Sequence, residues 1–170
     1  MKKIKIIYFV DGLNHGGVEN VVLQLSNSLY TDYDIHVISL YEDQNRIASL
    51  FNSNVKIHYL PFNKSAKGLI QYIINLNHLK ILIKNINPNI IHAHNSSVSY
   101  LYLALAIYLS NIKCKNIRTI HFAGFFLEKK TIIDKIRFYL DKLGSKITGT
   151  VIIGVSPLVT KIVKSLYNSN

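Results

Sequence analysis

The sequence predicts an α/β protein, with a doubly wound, mainly parallel sheet of about six or seven strands and helices on both faces. Short runs of β-branched and apolar residues alternate with stretches whose apolar residues recur at spacings of three and four. The first pattern is typical of buried parallel strands, and the second of helices packed on a sheet. Strand followed by helix, repeated this often, favours right-handed crossovers within one sheet. The 170 residues are 49% hydrophobic and suit a single domain spanning 1–170.

Four strand-like runs lie in the first half of the chain, and three stretches with helical spacing separate them. The predicted strands are Ile4–Val10, Ile35–Leu40, Val55–Leu60 and Asn89–Ala93. The predicted helices are one with Val18, Val21, Val22, Leu25 and Leu29 on one face, a short one at Arg46–Phe51, and a long one at Leu69–Ile86 with Ile73, Leu76, Leu79 and Ile83 as core candidates. We expect Pro61 to stop the third strand, because proline has no N–H to donate.

The second half continues the same alternation. Its predicted elements are the helix Ser97–Leu109, the strand Asn116–Ile120, the helix Ile132–Leu143, the strand Thr150–Val155 and a last helix from Pro157 to about Tyr167. The apolar side of the helix at 132–143 contains Ile132, Ile133, Ile136, Leu140 and Leu143. Ser156 can cap the free amides of the last helix, and Pro157 suits its first turn.

The charge of the chain is high and uneven. The net charge is +11, and no Asp or Glu occurs from Gln44 to Leu127. Such a field attracts anions, which include nucleotide diphosphates, acidic lipid headgroups and nucleic acid. A genome rich in A and T, which favours Lys, Ile and Asn codons, would give the same charge without a ligand, and this alternative stays open.

The cysteine count and the apolar runs bear on the compartment. Cys114 is the only cysteine, which excludes an internal disulfide and a multi-thiolate zinc site. The N-terminal apolar run contains Lys5 and ends at Asp11, as expected of a first strand rather than a signal peptide. The longest apolar stretch, Val98–Leu109, is shorter than the roughly 18 residues of a spanning helix. We expect a cytoplasmic protein, which could still sit at the inner face of the cell membrane.

Ligands of doubly wound sheets bind beyond the carboxyl ends of the strands, near the reversal of strand order. Those ends are followed here by Asp11–Gly17, Tyr41–Asp43, His92–Ser97 and His121–Phe126. Gly16 and Gly17 precede a helix whose free amides and dipole could receive a phosphate. The spacing of Gly12, Gly16 and Gly17 is neither G-x-G-x-x-G nor a P-loop, so a plain tight turn is an equal alternative.

Three histidines fall at these strand ends. The period of two on a strand places His92 and His94 on one face, as a metal pair requires, but no third ligand can be nominated and we expect no metal. His121 closes the fifth strand, where a neutral imidazole can donate or accept a hydrogen bond to a sugar hydroxyl near pH 7. A purely structural histidine at each position is the alternative.

The stretch Lys129–Lys146 combines an apolar stripe with basic residues. The candidates for contact with a membrane surface are Lys129, Lys130, Lys135, Arg137 and Lys142. A basic amphipathic helix can lie on an anionic bilayer. The alternative, which the sequence favours because this helix must also cover the sheet, is a solvated polar face above a buried stripe.

Four segments, in order, resemble the amino-terminal, acceptor-side domain of GT-B glycosyltransferases, specifically of family 4. GGVENVVLQLSNSL is similar to the family's first helix, PNIIHAHNS to the fourth strand and its exit, IRTIHFAG to a strand ending in histidine, and VIIGVSPLVTKIV to the strand, serine and helix that close this half. The resemblance covers nearly the whole chain. It implies one Rossmann-like half of a GT-B fold, with the carboxyl-terminal donor-binding domain absent from this chain.

The resemblance also implies roles for residues at matching positions. Gly16 and Gly17 would lie close to the donor diphosphate, and His121 would be the catalytic residue that contacts the transferred sugar. The acceptor and sugar side would include Asn14, His15, His94, Asn95, Ser96, Phe122 and Gly124. Asn20 stands where the family commonly has Arg, which weakens an anion-binding role at that position.

The activity that the resemblance implies is hexosyl transfer with retention, from a nucleotide sugar linked to UDP or GDP to a glycan or lipid-linked acceptor. Capsule, exopolysaccharide and lipopolysaccharide synthesis are the expected settings. A front-face path, in which the donor phosphate helps to deprotonate the acceptor, needs no carboxylate nucleophile, and we expect no metal requirement. Most donor contacts belong to the carboxyl-terminal half, so we expect this chain alone to be inactive or nearly so.

Two other classes of function compete with this reading. An NAD(P)-binding oxidoreductase domain would share the fold, but the G-x-G-x-x-G fingerprint and a clearly placed ribose acid are missing. A non-catalytic basic domain that binds nucleic acid would account for the charge. No recognised nucleic-acid motif accompanies that charge, so we expect no nucleic-acid partner.

Overall fold

The computed structural model describes residues 3–41, 45–62, 69–95, 97–122 and 131–167. The strands are β1 Lys5–Val10, β2 Asp34–Tyr41, β3 Lys56–Phe62, β4 Ile90–Ala93, β5 Lys115–Ile120 and β6 Val151–Gly154. The helices are α1 Gly17–Leu29, α2 Leu69–Ile86, α3 Ser97–Ser110, α4 Ile132–Ile147 and α5 Pro157–Tyr167, and a 3-10 turn covers Ala48–Leu50. Ser156 caps α5 as predicted, since its Oγ accepts the Val159 N–H at 3.3 Å.

The six strands form one parallel sheet in the order β3-β2-β1-β4-β5-β6. The chain first moves outward from β1 to β3 and then crosses back to place β4 on the other side of β1. The reversal of strand order therefore falls between β1 and β4, where ligands of this architecture bind. The predicted doubly wound α/β fold is confirmed.

Helices cover both faces of the sheet, because alternate residues of each strand point to opposite sides. Ile6, Tyr8 and Val10 of β1 share one core with Val22 of α1. The residues between them, such as Ile7 and Phe9, share the other core with buried residues of α2 and α3, namely Leu79, Ile83, Leu103 and Ala106. Both cores extend to the carboxyl ends of the strands, and the candidate site residues follow directly after those ends.

Two predictions near β3 and α2 were wrong. The strand β3 does not stop before Pro61 but continues to Phe62. It lies at the edge of the sheet, where a missing N–H is tolerated, and Tyr41 pairs with both Pro61 and Phe62 at a bulge. Ile73, a predicted core residue, is 59% exposed on α2.

The largest difference concerns α4, whose apolar stripe was expected to cover the sheet. Ile132, Ile136 and Leu143 are instead exposed to solvent. The buried side of the helix carries Asp141, Gly144 and Ser145. A β-carbon at Gly144 would lie only 3.2 Å from Ala104 Cβ, so the glycine allows α4 to pack closely on α3. The inward side thus carries polar and small residues together with the half-buried Phe138, which packs near Val163, and the apolar stripe faces outward.

A buried ion pair fixes that orientation of α4. The Arg118 guanidinium of β5 donates to the Asp141 carboxylate, and both side chains are almost fully buried. The Tyr167 hydroxyl donates to the same carboxylate at 2.9 Å, and the guanidinium carbon lies 4.1 Å from the centre of the Tyr100 ring. The Asp141 carboxylate thereby joins β5, α4 and α5, and the Tyr100 ring of α3 stacks on the guanidinium.

The strand β6 is the second edge of the sheet. Its residues alternate in exposure: Ile152 packs in a small core with Val163 of α5, while Val151 and Ile153 are exposed on the opposite face. Val155, directly after the strand, is also exposed. This face of the sheet is covered by α1 at β1 and β2, whereas at β6 none of the described helices covers Val151 and Ile153.

Candidate functional site

The loops that follow β1, β2 and β4 are joined by backbone hydrogen bonds at the carboxyl edge of the sheet. The N–H of His94 donates to Phe9 O at 2.8 Å, which places the exit of β4 beside the exit of β1. The N–H of Tyr41 donates to Asp11 O at 2.9 Å, and the N–H of Ile47 donates to Leu13 O at 2.9 Å. The turn before α1 is therefore held at the reversal of strand order.

Three histidines meet at this edge. The rings of His92 and His94 have centroids 4.1 Å apart, which agrees with their predicted position on one face. His94 Nδ1 lies 3.0 Å from His121 Nε2, and His92 Nε2 lies 2.8 Å from Thr119 Oγ1. Because β4 and β5 are neighbours, the sheet brings together residues that are 27 positions apart in sequence.

Burial keeps this histidine cluster neutral. Burial, together with the neighbouring rings of His92 and His121, lowers the pKa of His94 to about 3. Burial and the charge of His121 lower the pKa of His92 to about 4, and burial also lowers the pKa of His121. At pH 7 each ring therefore has one N–H donor and one bare nitrogen acceptor.

Tyr8 forms the floor of the cluster on the β1 side. Its ring centroid lies 5.6 Å from that of His92 and 5.9 Å from that of His94. Burial raises the pKa of Tyr8 to about 12, so its hydroxyl stays protonated. The cluster thus presents uncharged hydrogen-bonding groups within an aromatic setting, and such groups can donate to and accept from the hydroxyl groups of a ligand.

Several buried polar atoms at this edge have no hydrogen-bond partner among the described residues. They are His94 Nε2 and both polar atoms of the Asn95 amide, Oδ1 and Nδ2. A buried polar atom without a partner costs about 1–3 kcal/mol. Native proteins keep few such atoms, and a ligand that supplies the missing partners is one explanation for them.

The turn before α1 has a different character. Gly16 is the N-cap residue, with extended backbone at φ −148° and ψ 166° and no side-chain cap on the first amides. A β-carbon at Gly16 would overlap the carboxylate of Glu19, which lies in the first turn of the helix. A β-carbon at Gly17 would have no other atom within 4 Å, so this glycine faces open space. The free helix terminus is accessible from the side of Gly17.

The other predicted site residues are divided by the structure. Asn14 is half-buried and His15 exposed in the turn before α1, and Phe122 is exposed directly after His121. Lys135 and Lys142 lie on α4, and the hydrogen bonds of the histidine cluster involve neither of them. The predictions for Ser96, Gly124, Lys129, Lys130 and the side chain of Arg137 fall outside the described residues.

Sequence reasoning missed two members of the cluster, Tyr8 and Thr119. Thr119 lies two residues before His121 and therefore points to the same face of the sheet. Tyr8 pairs directly with His92 in the register of β1 and β4. The period of two could have indicated Thr119, but Tyr8 could be placed only once β4 was known to neighbour β1.

No group of three His, Cys, Asp or Glu side chains in the described ranges has an arrangement that could hold a metal ion. Within those same ranges, no helix combines the length and the apolar character needed to cross a bilayer.

These features define a Rossmann-like α/β domain whose ligand edge carries neutral histidines in place of a dinucleotide fingerprint. The model of the family described as Glycosyltransferase Family 4 matches residues 15–169, and the chain belongs to that family. The predicted recognition as an amino-terminal half of a GT-B fold is confirmed. A search of curated protein sequences gives no match.

Solved structures support the same fold. A lipopolysaccharide outer core galactosyltransferase, WaaB, in its apo form is similar with a TM-score of 0.69 at 12% identity, covering 96% of this chain and 42% of that one. A UDP-N-acetylglucosamine 2-epimerase has a TM-score of 0.59 at 15% identity, covering 96% of this chain and 45% of that one. A short-chain dehydrogenase/reductase from Veillonella parvula in complex with NADP has a TM-score of 0.52 at 12% identity, over 90% of this chain and 68% of that one. The chain spans less than half the length of the first two proteins.

Proposed function

We propose that this domain is the acceptor-side half of a retaining glycosyltransferase that moves a hexose from a nucleotide sugar to a glycan or lipid-linked acceptor. The observation that carries the proposal is the set of unpaired buried polar atoms on His94 and Asn95 at the reversal of strand order. Sugars carry many hydroxyl groups, each of which can donate and accept, so an acceptor sugar would supply the missing partners. Family membership supports transfer of a sugar rather than another use of the same edge.

The residues divide the work by position. His121 would contact the transferred sugar, and His94 and Asn95 would hold the acceptor. Gly16 and Gly17 would let the donor diphosphate approach the amides and positive dipole of α1. In a front-face path the donor phosphate takes the proton of the acceptor, so the neutral imidazoles act as hydrogen-bond partners that orient the hydroxyl groups.

The proposal includes a partner and a setting. A donor-binding half would complete the cleft and supply most contacts to a UDP- or GDP-linked sugar, so the domain alone would have little or no activity. We place the reaction in the cytoplasm, without a metal cofactor, in the synthesis of a bacterial surface glycan such as a capsule, an exopolysaccharide or a lipopolysaccharide. The resemblance of the four ordered segments supports this setting.

The test is sugar transfer by this domain together with its donor-binding half, supplied in one polypeptide or as two. With UDP- and GDP-linked hexoses as donors, we expect His121→Ala to lower kcat about a hundredfold, the effect of removing one well-placed hydrogen-bonding group. His78→Ala, which removes an exposed imidazole of α2, is the matched control and should change nothing. Equal rates for both variants would show that His121 does not contribute to transfer. If no hexose donor supports transfer, the proposed reaction is wrong.

The NADP-bound reductase raises a second candidate, because it shares the sheet. A titration of the domain with NADPH, followed by its fluorescence, separates the two candidates. We expect no saturable binding, since the turn of Gly12, Gly16 and Gly17 lacks the dinucleotide spacing. Saturation at micromolar concentration would favour the oxidoreductase.

The nucleic-acid alternative has its own test. Binding of the domain to random DNA with a steep salt dependence would favour that alternative.

A further inference from the structure

A second concave surface lies at the amino edge of the sheet, where all six parallel strands begin and which is opposite to the histidine cluster. It lies between the starts of β1, β2 and β3 and the turn after α1, and its volume is about 590 Å³. Cavities of this size are typical of sites for small molecules or single sugar units. We call it the amino-edge pocket, and the side chains that line it include Lys3, Lys5, Lys56, Tyr30, Tyr33 and Asn54.

The carboxylate that lines this pocket is already neutralised. Lys56 Nζ donates to Asp34 Oδ1 at 2.7 Å. His36 Nε2 lies 3.4 Å from the same oxygen, but burial lowers the pKa of His36 to about 4, so that ring is neutral at pH 7 and Lys56 is the cation that balances Asp34. Asp32, in the turn after α1, is exposed and does not line the pocket. Any further lysine in the pocket therefore adds a positive charge that no lining carboxylate balances.

Lys3 and Lys5 are the two further lysines, and neither forms an ion pair with the described residues. Main-chain carbonyl groups hold them in place: Lys3 Nζ donates to Tyr30 O at the end of α1 at 3.2 Å, and Lys5 Nζ donates to Ile86 O at the end of α2 at 2.7 Å. The carboxyl end of each helix carries about half a negative charge, so the two ends offset about one of the two positive charges. About one positive charge remains, and each ammonium group keeps two N–H donors for a ligand.

The positive charge continues along the amino edge beyond the pocket. Strand β5 begins at Lys115, which follows Lys113, and Lys84 lies near the end of α2; all three are exposed. Four strand spacings separate β3 from β5 in the sheet, which is about 19 Å. Lysines therefore lie at the starts of β3, β1 and β5, on alternate strands, in what we call the lysine row.

The uncharged side chains of the pocket indicate the kind of anion that fits. The half-buried rings of Tyr30 and Tyr33 offer apolar surface, and the amide of Asn54 and the hydroxyl of Thr31 can donate and accept hydrogen bonds. A sugar ring has the matching groups, an apolar face of C–H bonds and a rim of hydroxyl groups. A nucleic-acid strand matches the row poorly, because phosphates 3.4 Å apart would place about six charges along 19 Å, against three groups of lysines.

We infer that the amino edge binds an acidic glycan, with one sugar unit in the amino-edge pocket and the following charged units along the lysine row. Lys3 and Lys56 contact the carboxylate or phosphate group of the bound unit, and Tyr30 and Asn54 contact its ring. The next charged unit reaches Lys115. This site shares no residue with the histidine cluster and lies at the opposite edge of the sheet, so binding here and the proposed sugar transfer can each be tested without the other.

The test is binding of the full chain to three immobilised glycans, measured by surface plasmon resonance: polygalacturonate, which carries carboxylates, phosphomannan, which carries phosphates, and neutral dextran. We expect the Kd of at least one acidic glycan to be more than tenfold lower than that of dextran, and to rise with salt because salt screens the charges. The acidic glycan that binds more tightly identifies the anionic group. Equal binding of all three glycans would overturn the inference.

Paired charge reversals locate the site. Lys3→Glu/Lys56→Glu changes two lysines of the pocket and should weaken binding of the acidic glycan more than tenfold. Lys135→Glu/Lys161→Glu changes two exposed lysines of α4 and α5, alters the net charge equally, and should bind like the parent chain. Thermal unfolding checks that both variants are folded. Equal losses in the two variants would show attraction by net charge alone and would contradict a site at this edge.

A variant without a change of charge separates the reading of a sugar from the attraction of an anion. Asn54→Ala should weaken binding of the acidic glycan about threefold, the effect of one hydrogen bond, but should leave binding of polyphosphate, which has no sugar ring, unchanged. If Asn54→Ala leaves glycan binding unchanged, the inference is wrong. Tighter binding of single-stranded DNA than of either acidic glycan, lost in Lys3→Glu/Lys56→Glu, would assign the edge to nucleic acid instead.

Discussion

His94 Nδ1 and His121 Nε2 are joined by one hydrogen bond of 3.0 Å between two neutral rings. A neutral imidazole carries one proton, so the two protonation patterns are linked. If His94 Nδ1 donates, His121 must keep its proton on Nδ1, and if His121 Nε2 donates, His94 must keep its proton on Nε2. Both rings therefore have the same tautomer, and a ligand that fixes one ring fixes the other.

We predict that this linkage can be seen by NMR. The ¹⁵N shifts of the two imidazoles, measured near pH 7, should report either two Nδ1–H tautomers or two Nε2–H tautomers. His121→Ala should release His94 and allow it to populate both forms. Opposite tautomers in the parent protein would mean that the hydrogen bond is absent in solution.

A second prediction concerns acid stability. The pKa values of His92 and His94 in the folded state are about 4 and about 3, below the ordinary value of 6.5, because burial disfavours the charged rings. Below pH 6.5 the unfolded chain binds more protons than the folded one, so the free energy of unfolding is highest above that pH and falls as the pH drops towards 4. Each such histidine contributes a slope of up to about 1.4 kcal/mol per pH unit.

The measurement is urea unfolding across that range of pH. His94→Gln removes one of the rings with a lowered pKa, so its free energy of unfolding should depend less steeply on pH than that of the parent. His36 of β2, which is not part of the histidine cluster, offers a matched control, because burial also lowers its pKa to about 4. His36→Gln should flatten the curve similarly while leaving sugar transfer unchanged. A parent curve that is flat between pH 6.5 and pH 4 would contradict the buried neutral cluster.

A third prediction separates the effect of Gly17 on stability from its effect on donor binding. Since a β-carbon at Gly17 meets open space, Gly17→Ala should leave the free energy of unfolding unchanged or raise it by up to about 1 kcal/mol. Gly17→Val should also fold, but its branched side chain would occupy the space proposed for the donor diphosphate. We expect it to raise KM for the nucleotide sugar in the completed enzyme. An unchanged KM would show that the donor diphosphate does not bind at this turn.

A fourth prediction concerns the buried ion pair. Asp141→Ala should lower the free energy of unfolding by about 3–5 kcal/mol, because it removes the buried carboxylate that faces Arg118. Asp134→Ala, on the same helix, removes the carboxylate of the capping box at Thr131 and should cost about 1 kcal/mol. Chemical denaturation of both variants gives the comparison. Similar losses would show that the pair is solvated in solution.

The sequence predicted the fold well because each strand is a short β-branched run bounded by turn residues. It also predicted that His92 and His94 share a face, since this depends only on the period of two. It did not predict that His121 would meet His94, because that contact depends on β5 lying beside β4. The order of strands in a sheet is set by long-range packing, which local spacing does not encode.

The predicted orientation of α4 was wrong for a related reason. Periodicity shows that apolar residues share a face, but it does not show which way that face points. The helix is turned by Asp141 and Gly144, whose partners Arg118 and Ala104 come from β5 and α3. A single buried charge and one close contact between helices outweighed the apolar pattern. The prediction that Pro61 ends the third strand was wrong in the same way, because a strand tolerates a proline only where it lies at the edge of the sheet, and strand order is not visible in the sequence.

The two edges of the sheet differ in what they can accept. The outer strand β3 carries Pro61, which has no N–H to offer and distorts the pairing with β2. The outer strand β6 has no proline, and Val151 and Ile153 stand exposed on one side of it. The edge at β6 is therefore better suited than the edge at β3 to pair with a further strand.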